Sequence, residues 1–90
     1  MLIVNQDRDK IVNFGNLTQV YITQDEEKIA CFIRFETVDS LYYDLGEYKT
    51  EERAKEILQE IINAYLDCNE QNYLSEFAYV KNKVYEMPKE

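Results

Sequence analysis

The chain lacks histidine and tryptophan altogether, and it has only one proline, two glycines and two cysteines among its 90 residues. Histidine is the usual acid–base group near neutral pH and the commonest metal ligand, so its absence removes most routes to small-enzyme chemistry. Two cysteines without histidine match none of the usual zinc-ligand spacings, and we expect Cys31 and Cys68 to be reduced thiols. We therefore expect no catalytic residues, no metal site and no cofactor.

Basic residues are also scarce. The chain has 10 lysines and arginines and 18 acidic side chains, which gives a net charge of −8. Nucleic acids and anionic membranes need positive charge at the contact, so direct binding to either is disfavoured. No apolar run approaches the ~20 residues that span a bilayer, and the first residues lack the basic region typical of a signal peptide. We expect a cytoplasmic protein.

What is present is a series of short patterns in which apolar and polar residues alternate, as is typical of strands. In the longest pattern Ile33 and Phe35 alternate with Arg34 and Glu36, which predicts a central strand. The length is typical of one domain over residues 1–90. Strands are expected at residues 2–4, 10–14, 18–23, 29–36 and 41–48, and the short turns between them predict an antiparallel meander.

The pattern changes to a helical period after Thr50, which is expected to cap a helix over residues 51–68. Glu51 and Glu52 suit the positive end of the helix dipole. A short helix or turn at residues 73–78 and a last strand at residues 83–87 are expected to follow. The apolar stripe of the long helix has the spacing i, i+3, i+4, i+7 at Ala54, Ile57, Leu58, Ile61, Ile62 and Tyr65.

Together these patterns predict an α+β fold, an antiparallel β-meander of about five strands with one long C-terminal amphipathic helix packed on one face. Because the helix has a single apolar stripe, it should lie across the sheet and supply much of the buried surface. No internal repeat and no linker composition divides the chain, so we expect a single core.

Three segments of the chain resemble a family of small proteins. They are VNQD at residues 4–7, LGEYKTEERAKEILQEI at residues 45–61 and YEMP at residues 85–88. The chain is similar over nearly its whole length to uncharacterised phage and mobile-element proteins of Gram-positive bacteria. The shared motifs are structural, with Gly46 allowing a strand bend and Tyr48 packing at the strand–helix corner. The resemblance implies no activity, and it favours a phage or mobile-element product in the cytoplasm of a bacterial host cell.

Acidic side chains form the first candidate binding surface. A helix face presents one such charge per ~6 Å, whereas one DNA strand presents one per ~3.4 Å. A surface that mimics phosphates would therefore need acids from the sheet as well as from the helix, and the alternative is an acidic face that only keeps the protein soluble. The candidates are Glu52, Glu56, Glu60 and Asp67 on the predicted helix, and Glu36, Asp39, Asp44 and Glu47 at the ends of the sheet.

Aromatic side chains form the second candidate surface. Tyr42 and Tyr43 are adjacent in a strand, so one of them must lie on the face away from the helix. If that face is uncovered, it would suit a second copy of the chain, giving a homodimer or a higher homo-oligomer. The alternative is a base-stacking pocket with cations for phosphates, which would suit a signalling nucleotide. The residues of this patch are Tyr21, Phe32, Tyr42, Arg34 and Lys28.

Three classes of function follow, and all of them are binding functions. The first, which we favour, is a non-enzymatic counter-defence inhibitor of phage or mobile-element origin that binds a host protein with a basic groove. The second is a sponge that sequesters a nucleotide as an oligomer. The third is a structural or regulatory adaptor without a small ligand. An enzyme ranks last, because the chain offers no base to activate a serine or cysteine.

Overall fold

Two small sheets and one long helix form the fold, which is α+β as the sequence predicts. The structure is a computed structural model that describes residues 1–27, 30–74 and 84–90, with side chains except those of residues 68–74. Its elements are β1 (Leu2–Val4), β2 (Ile11–Asn13), a 3-10 turn (Phe14–Asn16), β3 (Leu17–Gln24), β4 (Cys31–Thr37), β5 (Tyr42–Tyr48), α1 (Glu51–Leu74) and β6 (Val84–Glu86).

The first sheet has the strand order β2–β1–β6 and is mixed. β1 pairs with β2 antiparallel and with β6 in parallel, so that Leu2 lies between Asn13 and Val84. The predicted five-strand meander with a C-terminal helix is therefore wrong, because the described residues form six strands and α1 precedes β6. A three-residue strand whose parallel partner lies at the other end of the chain carries no local signal of that pairing.

The second sheet, β3–β4–β5, is the antiparallel meander that the sequence predicts for this part of the chain. Cys31, Ile33 and Phe35 of the central strand β4 are buried. The alternate residues of β4, Phe32 among them, lie on the opposite face, which we call the outer face. The sheet thus has one face in the core and one face away from it.

A β-bulge bends β5 where it leaves the sheet. Ile33 lies opposite Gly46 and Arg34 lies opposite Asp44, so Leu45 is the extra residue. Leu45 and Tyr48 are both buried in the core. A methyl group on Gly46 would lie 2.7 Å from the Tyr48 hydroxyl oxygen, so the close approach of this ring requires glycine. The strand bend and the packed tyrosine agree with what the resemblance implies for these two residues.

Helix α1 starts where the sequence predicts and ends later. The Thr50 hydroxyl oxygen accepts a hydrogen bond from the backbone N–H of Arg53 (3.1 Å), which confirms the predicted cap. The helix continues to Leu74, six residues beyond the predicted end at residue 68. Of the short helix or turn predicted at residues 73–78, the first two residues belong to α1 and the rest lies outside the described residues.

The buried seam of α1 is narrower than the predicted stripe. It consists of Ala54, Ile57, Ile61 and Ala64, and it faces the second sheet. Ile62 is 49% exposed and Tyr65 is 40% exposed, so the prediction that both are buried is wrong. Each residue turns the helix by ~100°, and Ile62 therefore points away from the seam that contains Ile61.

One core joins both sheets to the helix. It contains Ile3 of β1 and Met87, which follows β6, beside residues of the second sheet and α1. The predicted last strand near residues 83–87 is confirmed by β6, which places Met87 in this core. The fully buried members with the largest side chains are Ile3, Ile33, Leu45, Ile57, Ile61 and Met87.

Candidate functional site

The hairpin between β4 and β5 exposes an unusual share of the apolar surface. Among the side chains that the structure describes, nine large hydrophobic ones are exposed, and four of these lie within residues 38–43. We call these four the hairpin tip: Val38 (76% exposed), Leu41 (53%), Tyr42 (59%) and Tyr43 (42%). Scattered exposed apolar side chains are ordinary, but four within six residues of one hairpin are a local concentration that points to an interaction surface.

The turn that carries the hairpin tip is closed by hydrogen bonds. The backbone N–H of Thr37 donates to the Leu41 carbonyl oxygen (2.9 Å), and the N–H of Ser40 donates to the Thr37 carbonyl oxygen (3.0 Å). Ser40 has φ 65, a left-handed conformation that is uncommon for residues other than glycine. The turn therefore holds Val38 and Leu41 in fixed outward positions.

The two tyrosines of the hairpin tip lie on opposite faces of β5. The Tyr43 ring packs on Phe35 with centroids 5.6 Å apart, and the Lys10 ammonium lies 3.9 Å from the Tyr43 centroid. On the outer face, the Arg34 guanidinium lies 4.8 Å from the centroid of Tyr42. The sequence predicts that these two neighbouring residues point to opposite faces of the strand. The structure confirms this and places Tyr42 on the outer face.

A shallow groove lies beside the hairpin tip. It has a volume of about 500 Å³ and is open to solvent. Its apolar lining includes Val12, Leu17, Phe35 and Val38. A partner side chain that packed against Val38 could extend into this groove.

Acidic residues of the sheet surround the hairpin tip. Glu36 lies opposite Tyr42, and Asp44 lies opposite Arg34, so both acids are on the outer face. Asp39 is exposed in the turn itself, and Glu47 is exposed at the far end of β5. We call Glu36, Asp39 and Asp44 the acidic rim. The rim gives the surroundings of the apolar tip a negative charge.

Hydrogen bonds order the outer face next to the hairpin tip. The two Glu36 carboxylate oxygens accept from the Tyr21 hydroxyl (3.1 Å) and from the Gln19 side-chain amide (2.7 Å). Desolvation, and then the hydrogen bond to Glu36, raises the pKa of Tyr21. The Arg34 guanidinium donates to Asp44 (2.8 Å), and this bond raises the pKa of Arg34. Glu36, Arg34 and Asp44 of this face thus each have a hydrogen-bond partner on the sheet.

The structure brings most of the predicted aromatic patch together. Tyr21, Arg34 and Tyr42 are neighbours on the outer face, and Phe32 lies farther along β4 on the same face. Tyr21 and Phe32 are half-buried, and Tyr42 is exposed. Lys28, the remaining predicted member, lies outside the described residues.

The acids on the helix form a separate surface. Glu52, Glu56 and Glu60 are exposed on α1, and Asp67 is half-buried there. Glu56 pairs with Arg53 (3.0 Å), and Glu60 accepts a hydrogen bond from the Tyr85 hydroxyl (2.9 Å). Because α1 packs on the core face of the second sheet, its solvent side points away from the outer face. The two acidic sets therefore do not add to one continuous surface.

The three motif segments of the resemblance converge at the opposite end of the molecule. Gln6 of the first segment bonds to the backbone of Glu47, and the Tyr48 hydroxyl donates to the Pro88 carbonyl oxygen (2.7 Å). Burial raises the pKa of Tyr48 to about 12. These contacts tie strand ends together, which fits the structural role that the resemblance implies.

An open groove of about 750 Å³ lies at this junction. Three acidic and three basic side chains line it, so its formal charges cancel. The acidic ones are Asp7, Glu47 and Glu90, and the basic ones are Lys49, Arg53 and Lys89. The balance of charge gives this groove no preference for an anion or a cation.

Sequence reasoning missed Val38 and Leu41, which are exposed apolar residues of the turn and its flank. Turns between strands are usually built from polar residues, glycine and proline. The run Thr37-Val38-Asp39-Ser40-Leu41 departs from that rule at two positions, and this departure is the signal that could have found them.

Comparisons with known proteins leave the hairpin tip to be interpreted from its own geometry. Within the described ranges, no group of three or more Cys, Asp or Glu side chains is placed to hold a metal ion. No helix in the part of the chain that the structure describes is long and apolar enough to cross a membrane.

No family model, curated protein or solved structure matches the chain.

Proposed function

We propose that this protein is a non-enzymatic binding domain that docks its β4–β5 hairpin into another protein and blocks it. Val38, Leu41 and Tyr42 are the anchors, and they enter an apolar pocket of the partner. The observation that carries the proposal is that four exposed hydrophobic side chains fall within six residues of the hairpin, at and beside a turn closed by backbone hydrogen bonds. Tyrosine is enriched among the residues that dominate interface affinity, and the closed turn reduces the backbone ordering that binding would cost.

The charge around the hairpin tip defines the partner as basic. Glu36 and Asp39 of the acidic rim would face lysines or arginines at the edge of the partner's pocket, because Asp44 is already paired with Arg34. Complementary rim charges raise the association rate, and the effect declines as salt screens them. The net charge of −8 adds a long-range attraction to any basic protein.

A nucleotide sponge is less well supported than a protein-binding domain. A stacking site for a nucleotide would need Arg34 available for phosphate, but Arg34 is bonded to Asp44 and stacked on Tyr42. Releasing it would break that ion pair. A protein partner requires no such rearrangement.

The resemblance to phage and mobile-element proteins extends the proposal to a biological role. In that role, the protein is a counter-defence inhibitor that acts in the bacterial cytoplasm on a host protein with a basic groove. The small size and the lack of a catalytic base suit an inhibitor that acts by occupying a surface.

The test compares two double variants that each replace two exposed aliphatic side chains with serine. One variant, Val38→Ser with Leu41→Ser, removes the apolar tip, and the other, Ile62→Ser with Leu66→Ser, changes exposed residues of α1. Each tagged protein is incubated with a Gram-positive host lysate, and captured proteins are quantified by mass spectrometry. We expect the tip variant to lose its partner by at least about tenfold, a change of ~1.4 kcal/mol.

The helix variant and the salt dependence supply the controls. We expect the helix variant to retain the partner, and we expect capture to weaken between low and high salt. Equal capture of the partner by the native protein and the tip variant would rule out the hairpin as the anchor.

A further inference from the structure

We propose that the open edge of β3 pairs antiparallel with β3 of a second copy of the chain. This pairing would join two three-stranded sheets into one six-stranded sheet. The inference does not depend on the docking role of the hairpin, because β3 and the hairpin tip are different surfaces.

The edge of β3 lacks most of the features that keep natural sheet edges apart, and the one it has is a β-bulge at its start, between Leu17 and Gln19. Its eight residues, Leu17–Gln24, include no charged residue, no proline and no glycine, in a chain that is 31% charged. β3 is the terminal strand of the order β3–β4–β5 in the part of the sheet that the structure describes. Exposed edges are normally protected by charges, proline or short length, and a long uncharged edge is a template for another strand.

The other described sheet edges are short, or are partly covered and carry a charge. β2 and β6 have three residues each, and β6 carries Glu86. The free side of β5 is bonded to Gln6 at Leu45 and Glu47, and the rest of that strand carries the charged residue Asp44. β3 is therefore the best pairing edge among the described strands.

The backbone N–H and C=O groups of β3 point alternately toward β4 and toward the open edge. The N–H of Asp25 donates to the Ala30 carbonyl oxygen (3.5 Å), so this residue points toward the β4 side. Backbone groups alternate along a strand, so the groups of Tyr21 and Thr23 also point toward β4. Those of Val20 and Ile22 point to the open edge.

The lack of charge on β3 makes this edge the place where a second copy can pair. Two chains of net charge −8 repel each other wherever their acidic faces meet. Pairing along β3 places no two charged residues of the strands opposite each other. Among the registers that keep side chains on matching faces, we propose the one that places Tyr21 on the two-fold axis, with Gln19 opposite Thr23 of the second copy.

Amide hydrogen exchange of the full chain tests the pairing without any mutation. In the monomer, the amides of Val20 and Ile22 should exchange quickly, whereas those of Tyr21 and Thr23 are protected by β4. At concentrations where the mass doubles from 10.8 kDa, we expect exchange at Val20 and Ile22 to slow by at least about tenfold. A dimer in which these amides still exchange quickly would overturn the proposal, and so would a monomer at every concentration up to ~1 mM.

A charge-pair experiment tests the register and excludes a simple effect of net charge. Gln19→Lys with Thr23→Lys places like charges opposite each other across the two-fold axis, whereas Gln19→Lys with Thr23→Glu places opposite charges there. Both variants keep a cation beside Glu36. We expect the lysine pair to raise the dimer dissociation constant at least about tenfold relative to the lysine–glutamate pair.

Net charge alone predicts the reverse order. The lysine pair makes the chain two charges less acidic than −8, and the lysine–glutamate pair leaves it unchanged. If the less acidic variant dimerises better, or if Ile62→Lys on the helix abolishes the dimer while both edge variants keep it, the β3 pairing is wrong.

Discussion

The side-chain amide of Gln6 pairs with the backbone of Glu47 as a neighbouring strand would. Its Nε2 donates to the Glu47 carbonyl oxygen (2.9 Å), and its Oε1 accepts from the Glu47 N–H (2.8 Å). The backbone N–H of Gln6 donates to the Leu45 carbonyl oxygen (2.8 Å), which continues the same ladder. Gln6 thereby joins the end of β1 to β5 and links the two sheets.

Gln6→Ala should therefore destabilise the whole fold. Besides its bonds to Glu47, Nε2 donates to the Lys89 carbonyl oxygen (2.9 Å), so the variant loses three short hydrogen bonds. Partial exposure reduces the effect, and we expect a loss of about 1–3 kcal/mol in the free energy of unfolding. Urea denaturation measures it.

Gln6→Glu separates hydrogen bonding from side-chain volume. A carboxylate has nearly the same shape but cannot donate to the carbonyl oxygens of Glu47 and Lys89. We expect this variant to be at least as unstable as Gln6→Ala at pH 7 and to recover part of the loss below about pH 4, where the carboxyl is protonated. Native stability in both variants would contradict the linking role of Gln6.

Gly46→Ala should destabilise the protein through one identified contact. The added methyl group would lie 2.7 Å from the Tyr48 hydroxyl oxygen and 2.9 Å from ring carbon Cε2. Tyr48 is buried and cannot move freely, so we expect a cost of about 1–3 kcal/mol. A double-mutant cycle with Tyr48→Leu, which removes the ring, should show a smaller cost for Gly46→Ala. Equal costs in both backgrounds would mean that another contact requires the glycine.

Two tyrosines should resist ionisation at alkaline pH. Burial raises the pKa of Tyr48 to about 12, and burial followed by the hydrogen bond and charge of Glu60 raises the pKa of Tyr85 above its usual value. The unfolded chain loses these protons near pH 10, so the folded state binds more protons above that pH. These two tyrosines should therefore leave the free energy of unfolding unaffected below pH 10 and lower it as the pH rises further. The decrease is at most about 1.4 kcal/mol per pH unit for each tyrosine.

Ultraviolet absorbance of tyrosinate against pH, combined with urea denaturation, checks this prediction. Tyr85→Phe should remove one of the late-titrating groups and reduce the slope of stability above pH 10. If all eight tyrosines titrate together near pH 10 while the protein remains folded, the burial of these two hydroxyls is contradicted.

The hairpin tip should contribute almost nothing to folding. Val38 and Leu41 are 76% and 53% exposed, so Val38→Ser with Leu41→Ser should change the free energy of unfolding by less than about 0.5 kcal/mol per site. Ile33→Ala, at a fully buried position of the same hairpin, should cost about 2–5 kcal/mol. Thermal unfolding compares the variants. A large loss in the tip variant would mean that these side chains stabilise the fold and are not free for a partner.

The sequence reveals the local parts of this fold and misses the distant ones. The meander β3–β5 is predictable because its strands alternate and its turns are short. The helix cap at Thr50 is predictable because a hydroxyl residue precedes two acids. The pairing of β1 with β6 cannot be predicted from local patterns, because the two strands are separated by most of the chain. The link through Gln6 is also hidden, because a polar side chain gives no sign of which backbone it will contact.

The candidate site was predictable in part for the same reason. Strand alternation places Tyr21, Arg34 and Tyr42 on one face, so this group could be deduced. Val38 and Leu41 were missed although their position in and beside a predicted turn was a signal, because an apolar residue looks alike in a core and at an interface. Ile62 was predicted to be buried because its spacing fits the buried stripe, but its side chain is 49% exposed.

The most direct test of the proposed function is site-specific photo-crosslinking in the host cell. A benzophenone amino acid is placed at position 41, in the hairpin tip, or at position 62, on the exposed side of α1. The account predicts one dominant crosslink from position 41 to a basic host protein, which position 62 does not give. A partner that crosslinks from position 62 and not from position 41 would contradict it.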